Sequence, residues 1–314
     1  MASPFMTNPI LKANTPDLLR DLDLTNDELA YLLDLAADVK RSPAEYAHAL
    51  DNQSIALLFE KPSLRTRLTF ELAIAQLGGS SVFVDGPIGL REPLKDVARN
   101  LDRWVNGIVA RVFSQDTVDG LAQWSRVPVV NALSDAFHPC QALADVQTVR
   151  EHFGELAGLK LTFIGDGNNV AQSLMLTTLR LGMDFALACP PGYLPNPDVV
   201  TQAEGLAAVS GATLTITHDT GEAVRGAHVV YTDVWASMGQ EQEAVERKRA
   251  FHKYQVNEEL FHKARPDAVF MHCLPAKRGE EVTDGVIENA RSVVFDEAEN
   301  RLHAQKALLL MLLS

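Results

Sequence analysis

The 314 residues of this chain predict an α/β protein of two doubly wound parallel-sheet domains, with the active site in the cleft between them and a C-terminal helix closing the chain. Three observations carry that expectation. From residue 54 onward, short runs rich in Val, Ile and Phe alternate with longer stretches of helical period, the pattern of strands joined by crossover helices. The alternation occurs twice, and the helical stretch between the two halves ends at Gly154 with Gly158 close behind. The length suits two domains at roughly 100–200 residues each.

Taken in order, Thr25-Asn26-Asp27-Glu28 has capping-box spacing ahead of Leu29, Leu32 and Leu33, so a helix starts there. Ser54–Phe59, Ser81–Val84, Gly107–Val112 and Val127–Ala132 follow as strands, with Arg65–Leu77 and Pro93–Val105 among the helices between them. Gln141–Phe153 is the helix that joins the halves, which places the boundary near residue 150 and the domains at 1–150 and 151–314. In the second half Lys160–Gly165, Phe185–Cys189, Thr213–Thr217, His228–Thr232, Ala268–Cys273 and Ser292–Phe295 read as strands. Asn169–Leu181 and Val282–Asn289 read as helices, and Arg301–Leu313 as the closing helix, expected to pack back on the first domain.

With 28 Lys and Arg against 41 Asp and Glu, the chain carries a net charge of −13, which repels nucleic acid and anionic membrane. An anionic ligand must therefore be drawn in by a local group of arginines. Met1 to Leu19 has no basic start followed by an apolar run, so no secretory signal is expected. The apolar stretch Ala307–Leu313 is far short of the roughly 20 residues that span a bilayer. Cys140, Cys189 and Cys273 cannot all pair and show no C-x-x-C spacing, which fits a reducing compartment, the cytoplasm by default.

Residues with chemistry cluster where strands turn into helices. Ser63, Arg65, Thr66 and Arg67 stand at a helix start, where free N–H groups, hydroxyls and guanidinium forks suit a phosphate; a capped helix with surface arginines is the plainer reading. His138-Pro139-Cys140-Gln141 offers an imidazole and an amide as donors to a carbonyl oxygen, although His138 alone also fits a satisfied loop histidine. Gly165-Asp166-Gly167-Asn168-Asn169-Val170 occupies the slot of a dinucleotide fingerprint but has Val170 where the third glycine belongs. Its amides suit a carboxylate, and a plain turn would serve as well. Asp233 follows a strand and suits an amine. The run Arg247-Lys248-Arg249 has Glu243 and Glu246 beside it and reads as a solvated helix face. Around Cys273 no regular ligand spacing involves His272, His252 or His262, so no metal is expected.

Six segments together resemble the aspartate/ornithine carbamoyltransferase family, and within it the branch that uses ornithine, from about residue 17 to the C-terminus. They are Ser63-Leu64-Arg65-Thr66-Arg67, His138-Pro139-Cys140-Gln141, Asp166-Gly167-Asn168-Asn169, Asp233-Val234-Trp235-Ala236-Ser237-Met238-Gly239, His272-Cys273-Leu274-Pro275 and Glu297-Ala298-Glu299-Asn300-Arg301-Leu302-His303, in the family's order. The resemblance implies attack of the ornithine side-chain amine on carbamoyl phosphate, giving citrulline and phosphate with no cofactor. It implies carbamoyl phosphate contacts from Ser63, Leu64, Arg65, Thr66, Arg111, His138, Gln141, Cys273, Leu274 and Arg301, and a first domain that binds this substrate. Asn169, Asp233, Ser237 and Met238 would hold ornithine in the second domain, and Arg111, His138, Asp233 and Cys273 would act in catalysis. A cis Leu274-Pro275 bond and a homotrimer, or a multiple of one, are implied in the same way.

Two positions depart from the family's pattern. Leu64 replaces a threonine common in the phosphate loop, which matters little if the contact there is made by backbone. Pro87 stands where many relatives have a glutamine, which leaves the contribution of Pro87–Pro93 open. Putrescine, acylated ornithine and aspartate are the rival acceptors. A non-catalytic regulatory homologue and a dinucleotide-dependent oxidoreductase are readings from other classes.

Overall fold

Parallel pairing runs through both sheets of the computed structural model, which describes residues 10–236 and 241–314. The chain divides into two compact units, one formed by residues up to Gln147 together with Glu299–Ser314, the other by Thr148–Ala298. In chain order the first contains α1 (Asn26–Arg41), β1 (Ser54–Phe59), α2 (Leu64–Gln76), β2 (Ser80–Asp85), α3 (Leu94–Trp104), β3 (Gly107–Arg111), α4 (Gln115–Trp124), β4 (Val129–Leu133) and most of α5 (Pro139–Phe153). The second contains β5 (Lys160–Ile164), α6 (Asn169–Arg180), β6 (Asp184–Ala188), α7 (Pro197–Ser210), β7 (Leu214–Thr217), α8 (Thr220–Val224), β8 (Val229–Thr232), α9 (Ala244–Phe251), α10 (Glu258–Phe261), β9 (Val269–Met271) and α11 (Asp284–Ile287). The last helix, α12 (Val294–Leu313), begins in the second unit and ends in the first.

In the first unit the strand order is β2-β1-β3-β4. β1 and β3 lie at its centre and are buried on both faces, which is why their sequences SIALLF and GIVAR do not alternate. Ala56, Leu58, Ile108 and Ala110 pack against Ala98, Val118 and Leu121 of α3 and α4. The capping box at α1 forms as its spacing predicts: Thr25 Oγ1 accepts from Glu28 N–H at 3.2 Å, and Glu28 accepts from Thr25 N–H at 2.8 Å.

In the second unit the order is β7-β6-β5-β8-β9. Ile164, Ala186, Val230 and Phe270 pack there against Phe251, Phe261 and Val286. Each sheet thus reverses its winding once, between β1 and β3 in the first and between β5 and β8 in the second, and ligands of such sheets collect outside the strand ends at that point.

One expected strand is absent. Ser292–Phe295 makes only a bridge to Phe270, with Phe270 N–H donating to Arg291 and Val293 N–H donating to Phe270. α12 then starts at Val294, seven residues before the expected Arg301, with Asp296 and Glu297 in its first turn, where the helix dipole favours carboxylates.

Candidate active site

The first unit gathers its charged donors at its own reversal point. α2 begins directly after β1, and Ser63 caps it by accepting from Thr66 N–H at 3.2 Å. Thr66 is buried, and its hydroxyl oxygen accepts from Arg301 at 2.6 Å and from Arg111 at 3.4 Å. Arg111 is the last residue of β3, and Arg301 lies in the part of α12 that belongs to this unit. Two guanidinium groups from distant positions in the sequence therefore converge on one hydroxyl beside a helix N-terminus, an arrangement suited to a phosphate. Arg65 is half-buried on the same turn and Leu64 is 71% exposed. Arg67, read from the sequence as a second phosphate donor, turns instead to Glu71 at 2.9 Å and lies over the Phe83 ring at 3.7 Å.

His138 belongs to the same assembly, and Gln141 follows it on the first turn of α5. His138 precedes α5 and its carbonyl accepts from Gln141 and Ala142 N–H. Burial, reinforced by the positive charges of Arg301 and Arg111, holds its imidazole well below the usual histidine range, so at neutral pH the ring is uncharged. A neutral imidazole among cations keeps one N–H to donate without adding a third charge. Gln141 is buried and donates to Asp145 at 2.8 Å, which orients its amide. Cys140 between them is inert: burial pushes its thiol up to about 12.

Glu60 is a supporting residue that sequence reasoning did not single out. It accepts from Ile88 N–H at 3.0 Å and Phe113 N–H at 2.9 Å, tying the loop after β1 to the loops after β2 and β3. The Pro87–Pro93 segment is anchored at its start by this carboxylate. No pattern along the chain marks a glutamate whose partners are backbone groups of two other loops.

The second unit builds a different site at its reversal point. Gly165 follows β5, and a side chain at Gly167 would come within 2.4 Å of Pro195 N, so close backbone packing explains that glycine without a dinucleotide. Asn168 caps α6, its amide oxygen accepting from Val170 and Ala171 N–H at 3.0 Å, while its Nδ2 donates to Asp233 at 3.0 Å. Both of its functions are thus used internally. Asn169 stands next along the helix. Asp233, just past β8 and buried, also accepts from Val234 N–H at 2.7 Å and from the Cys273 thiol at 3.2 Å. The carboxylate, the thiol and the amide cap therefore form one cluster. Ser237 and Met238 lie outside the described residues.

Behind Cys273 the backbone is tightly specified. Leu274 has φ +54° and is followed by a cis peptide bond to Pro275, as the resemblance implied. His272 is fully buried: its Nδ1 accepts from Leu274 N–H at 2.9 Å, and its Nε2 faces Glu281 at 3.2 Å, while His272 N–H donates to Glu297 at 2.9 Å. Donor atoms of Asp233, His272 and Cys273 lie within 4.8 Å of one another, a proximity that spacing did not reveal. Both nitrogens of His272 are engaged, however, which leaves no lone pair for a metal.

The Arg247-Lys248-Arg249 run is not uniformly solvated. Arg247 is buried and donates to Asp166 at 2.6 Å, Glu243 at 2.8 Å and the Trp235 carbonyl at 3.0 Å. It joins the loop after β5 to the loop after β8. Burial raises the Asp166 carboxyl despite this pairing.

The chain matches two halves of one family: residues 16–151 match the aspartate/ornithine carbamoyltransferase carbamoyl-P binding domain, and residues 157–312 match its Asp/Orn binding domain. It is 50% identical to an ornithine carbamoyltransferase from Thermococcus kodakarensis over 302 residues, 95% of this chain and 96% of that one. Identity to an ornithine carbamoyltransferase from a Parafrankia species is 52% over 303 residues, covering 94% and 95%. Among solved structures, the ornithine carbamoyltransferase of Pyrococcus furiosus superposes with a TM-score of 0.93 at 47% identity, covering 98% of this chain and 99% of that one.

Proposed function

The chain belongs to the aspartate/ornithine carbamoyltransferase family, and we propose that it is the ornithine enzyme of that family, moving the carbamoyl group of carbamoyl phosphate to the side-chain amine of L-ornithine. The products are L-citrulline and phosphate, a step toward arginine. The observation that carries the phosphate half of this reading is the convergence of Arg111 and Arg301 on Thr66 beside the neutral His138.

Ser63, the backbone at Leu64, Arg65, Thr66, Arg111 and Arg301 hold the phosphate, and the arginines take up the charge that the leaving group carries away. His138 and Gln141 donate to the carbonyl oxygen, where negative charge grows as the amine adds. Asn169 receives the ornithine α-carboxylate. Asp233, with Ser237 and Met238, receives the α-amine; Cys273 and Leu274 stand near the reacting amine and the carbamoyl group. Catalysis is alignment and charge stabilisation, with no group on the protein forming a covalent intermediate.

Asp233 also favours ornithine over its rivals. A carboxylate held by Asn168 and Cys273 is a partner for a free α-amine, which putrescine and N-acetylornithine lack. The test is acceptor-dependent phosphate release from carbamoyl phosphate with ornithine, putrescine, N-acetylornithine or aspartate, repeated in Arg65→Ala and Cys273→Ala. Turnover that is fastest with ornithine and lost in Arg65→Ala is expected; faster turnover with putrescine would overturn the assignment.

A homotrimer, or a multiple of one, is supported by exposed apolar surface in the first unit. Leu64, Leu68 and Leu72 form one stripe on α2, and Val82 and Val84 are exposed on β2, an edge strand of the sheet. Sedimentation velocity should give a trimer or larger. A cytoplasmic location is supported by three free cysteines; among the described residues no helix is long and apolar enough to cross a membrane.

A further inference from the structure

The loop that leads from β4 to His138 is held by buried polar groups to which the reaction gives no part. Asn131 on β4 and Ser134 just past it are fully buried, and the loop returns on itself at Ser134. Ser134 N–H donates to the Phe137 carbonyl at 2.9 Å, and Phe137 N–H donates to Ser134 Oγ at 3.1 Å. The Ser134 hydroxyl has a single proton. Gln115 Oε1 lies 2.6 Å from Ser134 Oγ and the Phe137 carbonyl 3.3 Å, so the proton goes to Gln115. Gln115, the first residue of α4, presents its amide oxygen because its Nε2 donates to Asp119 Oδ1 at 2.9 Å, and Asp119 in turn accepts from Arg20 at 2.6 Å. The hydrogen bonds therefore run in one direction, from Phe137 N–H through Ser134 and Gln115 to the Asp119 carboxylate. Asp135 in the loop also accepts from Gln115 N–H, at 2.7 Å.

Asn131 ties both sides of His138 to β4. Its Nδ2 donates to Ser134 Oγ at 3.3 Å and to Gln115 Oε1 at 3.2 Å, and its carbonyl accepts from the Cys140 thiol at 3.4 Å. His138 is thus gripped through the residue before it and through the second residue after it. A donor to a growing oxyanion works only when it is aimed beforehand, and a displacement of about 1 Å can cost a hundredfold in rate. We propose that Ser134, backed by Gln115 and Asn131, is a positioning residue that sets how the chain enters α5, and so the direction in which His138 donates to the carbonyl oxygen of carbamoyl phosphate. The proposal rests on the reading of His138 as that donor. Removing the Ser134 hydroxyl leaves Phe137 N–H without its acceptor in a buried loop, and the loop must shift to find another.

The test is steady-state citrulline formation in Ser134→Ala, Ser134→Thr, Gln115→Met and His138→Ala, and in the Ser134→Ala/His138→Ala pair. In Ser134→Ala, kcat should fall about tenfold or more while KM for carbamoyl phosphate stays within about threefold, because the arginine contacts around Thr66 are untouched. Gln115→Met keeps Ser134 but removes the acceptor of its proton; it should lower kcat as well, and it probes the same link should Ser134→Ala fail to fold. Ser134→Thr keeps the hydroxyl and should stay within about threefold of wild type. Because Ser134 acts through His138, the two losses should not multiply, and the paired variant should stay within about threefold of His138→Ala alone. Losses that multiply, an equal loss in Ser134→Thr, or wild-type kcat in both Ser134→Ala and Gln115→Met would overturn the proposal and leave the role of His138 standing. Wild-type kcat in His138→Ala would overturn that role, and the proposal with it.

Discussion

Replacing Thr66 by Val removes one hydroxyl and little volume, and the hydroxyl is the point at which two arginines meet. Arg301 donates to it at 2.6 Å, a short charge-assisted bond, whereas the 3.4 Å contact from Arg111 is near the limit of a hydrogen bond and adds little. Thr66 is 1% exposed, so water does not easily replace the lost acceptor. A hydrogen bond to a charged group is worth about 1.5–3 kcal/mol, and a buried donor left unsatisfied pushes the loss toward the upper end. We therefore expect kcat/KM for carbamoyl phosphate to fall by about 30- to 160-fold, the equivalent of about 2–3 kcal/mol. Thr66→Ser keeps the acceptor and should stay within about threefold of wild type. The assay is steady-state citrulline formation at saturating ornithine, with carbamoyl phosphate varied. A Thr66→Val enzyme within about threefold of wild type would refute the reasoning that this hydroxyl sets the Arg301 guanidinium group, and so would an equal loss in Thr66→Ser.

Asp233→Asn removes the charge that Asn168 and Cys273 surround, and should raise the ornithine KM about tenfold or more while leaving the KM for carbamoyl phosphate unchanged; parallel rises in both would count against an α-amine role. His138 is held below its usual range, so in the window that opens below about pH 6.5 the unfolded chain binds a proton that the folded chain does not. Stability should fall as pH drops through that window. His228 and His303 are lowered by burial and act in the same direction, so the urea midpoint should depend less on pH in His138→Gln, but still depend on it. Thr25→Ala breaks the capping box of α1 and should cost about 1 kcal/mol, read as a lower urea midpoint with an unchanged slope.

The positions of strands and helices were legible because their causes are local. Apolar runs such as Ser54–Phe59 are buried on both faces in a parallel sheet, and Thr25 with Glu28 satisfies the first N–H groups of a helix within four residues. The family's motifs were legible for a related reason, each being a short contiguous run of residues. Ser292–Phe295 was misread because its apolar residues suit a strand, while only one rung of pairing is available and the acids at 296 and 297 favour a helix start.

What the sequence by itself determined is the set of chemical groups and the end of the strand that carries each: hydroxyls and Arg65 after β1, Arg111 at the end of β3, His138 before α5, Asp233 after β8. Tertiary structure alone decided which groups are available. It laid Arg67 over the Phe83 ring, buried Arg247 against Asp166, tied Asn168 to Asp233, and brought Arg301 to Thr66 across 235 residues. The physical reason is that a side chain's partners and its protonation depend on burial and on neighbours from other strands. His138 is neutral because Arg111, Arg301 and a dry interior surround it, and none of these is adjacent to it in the chain.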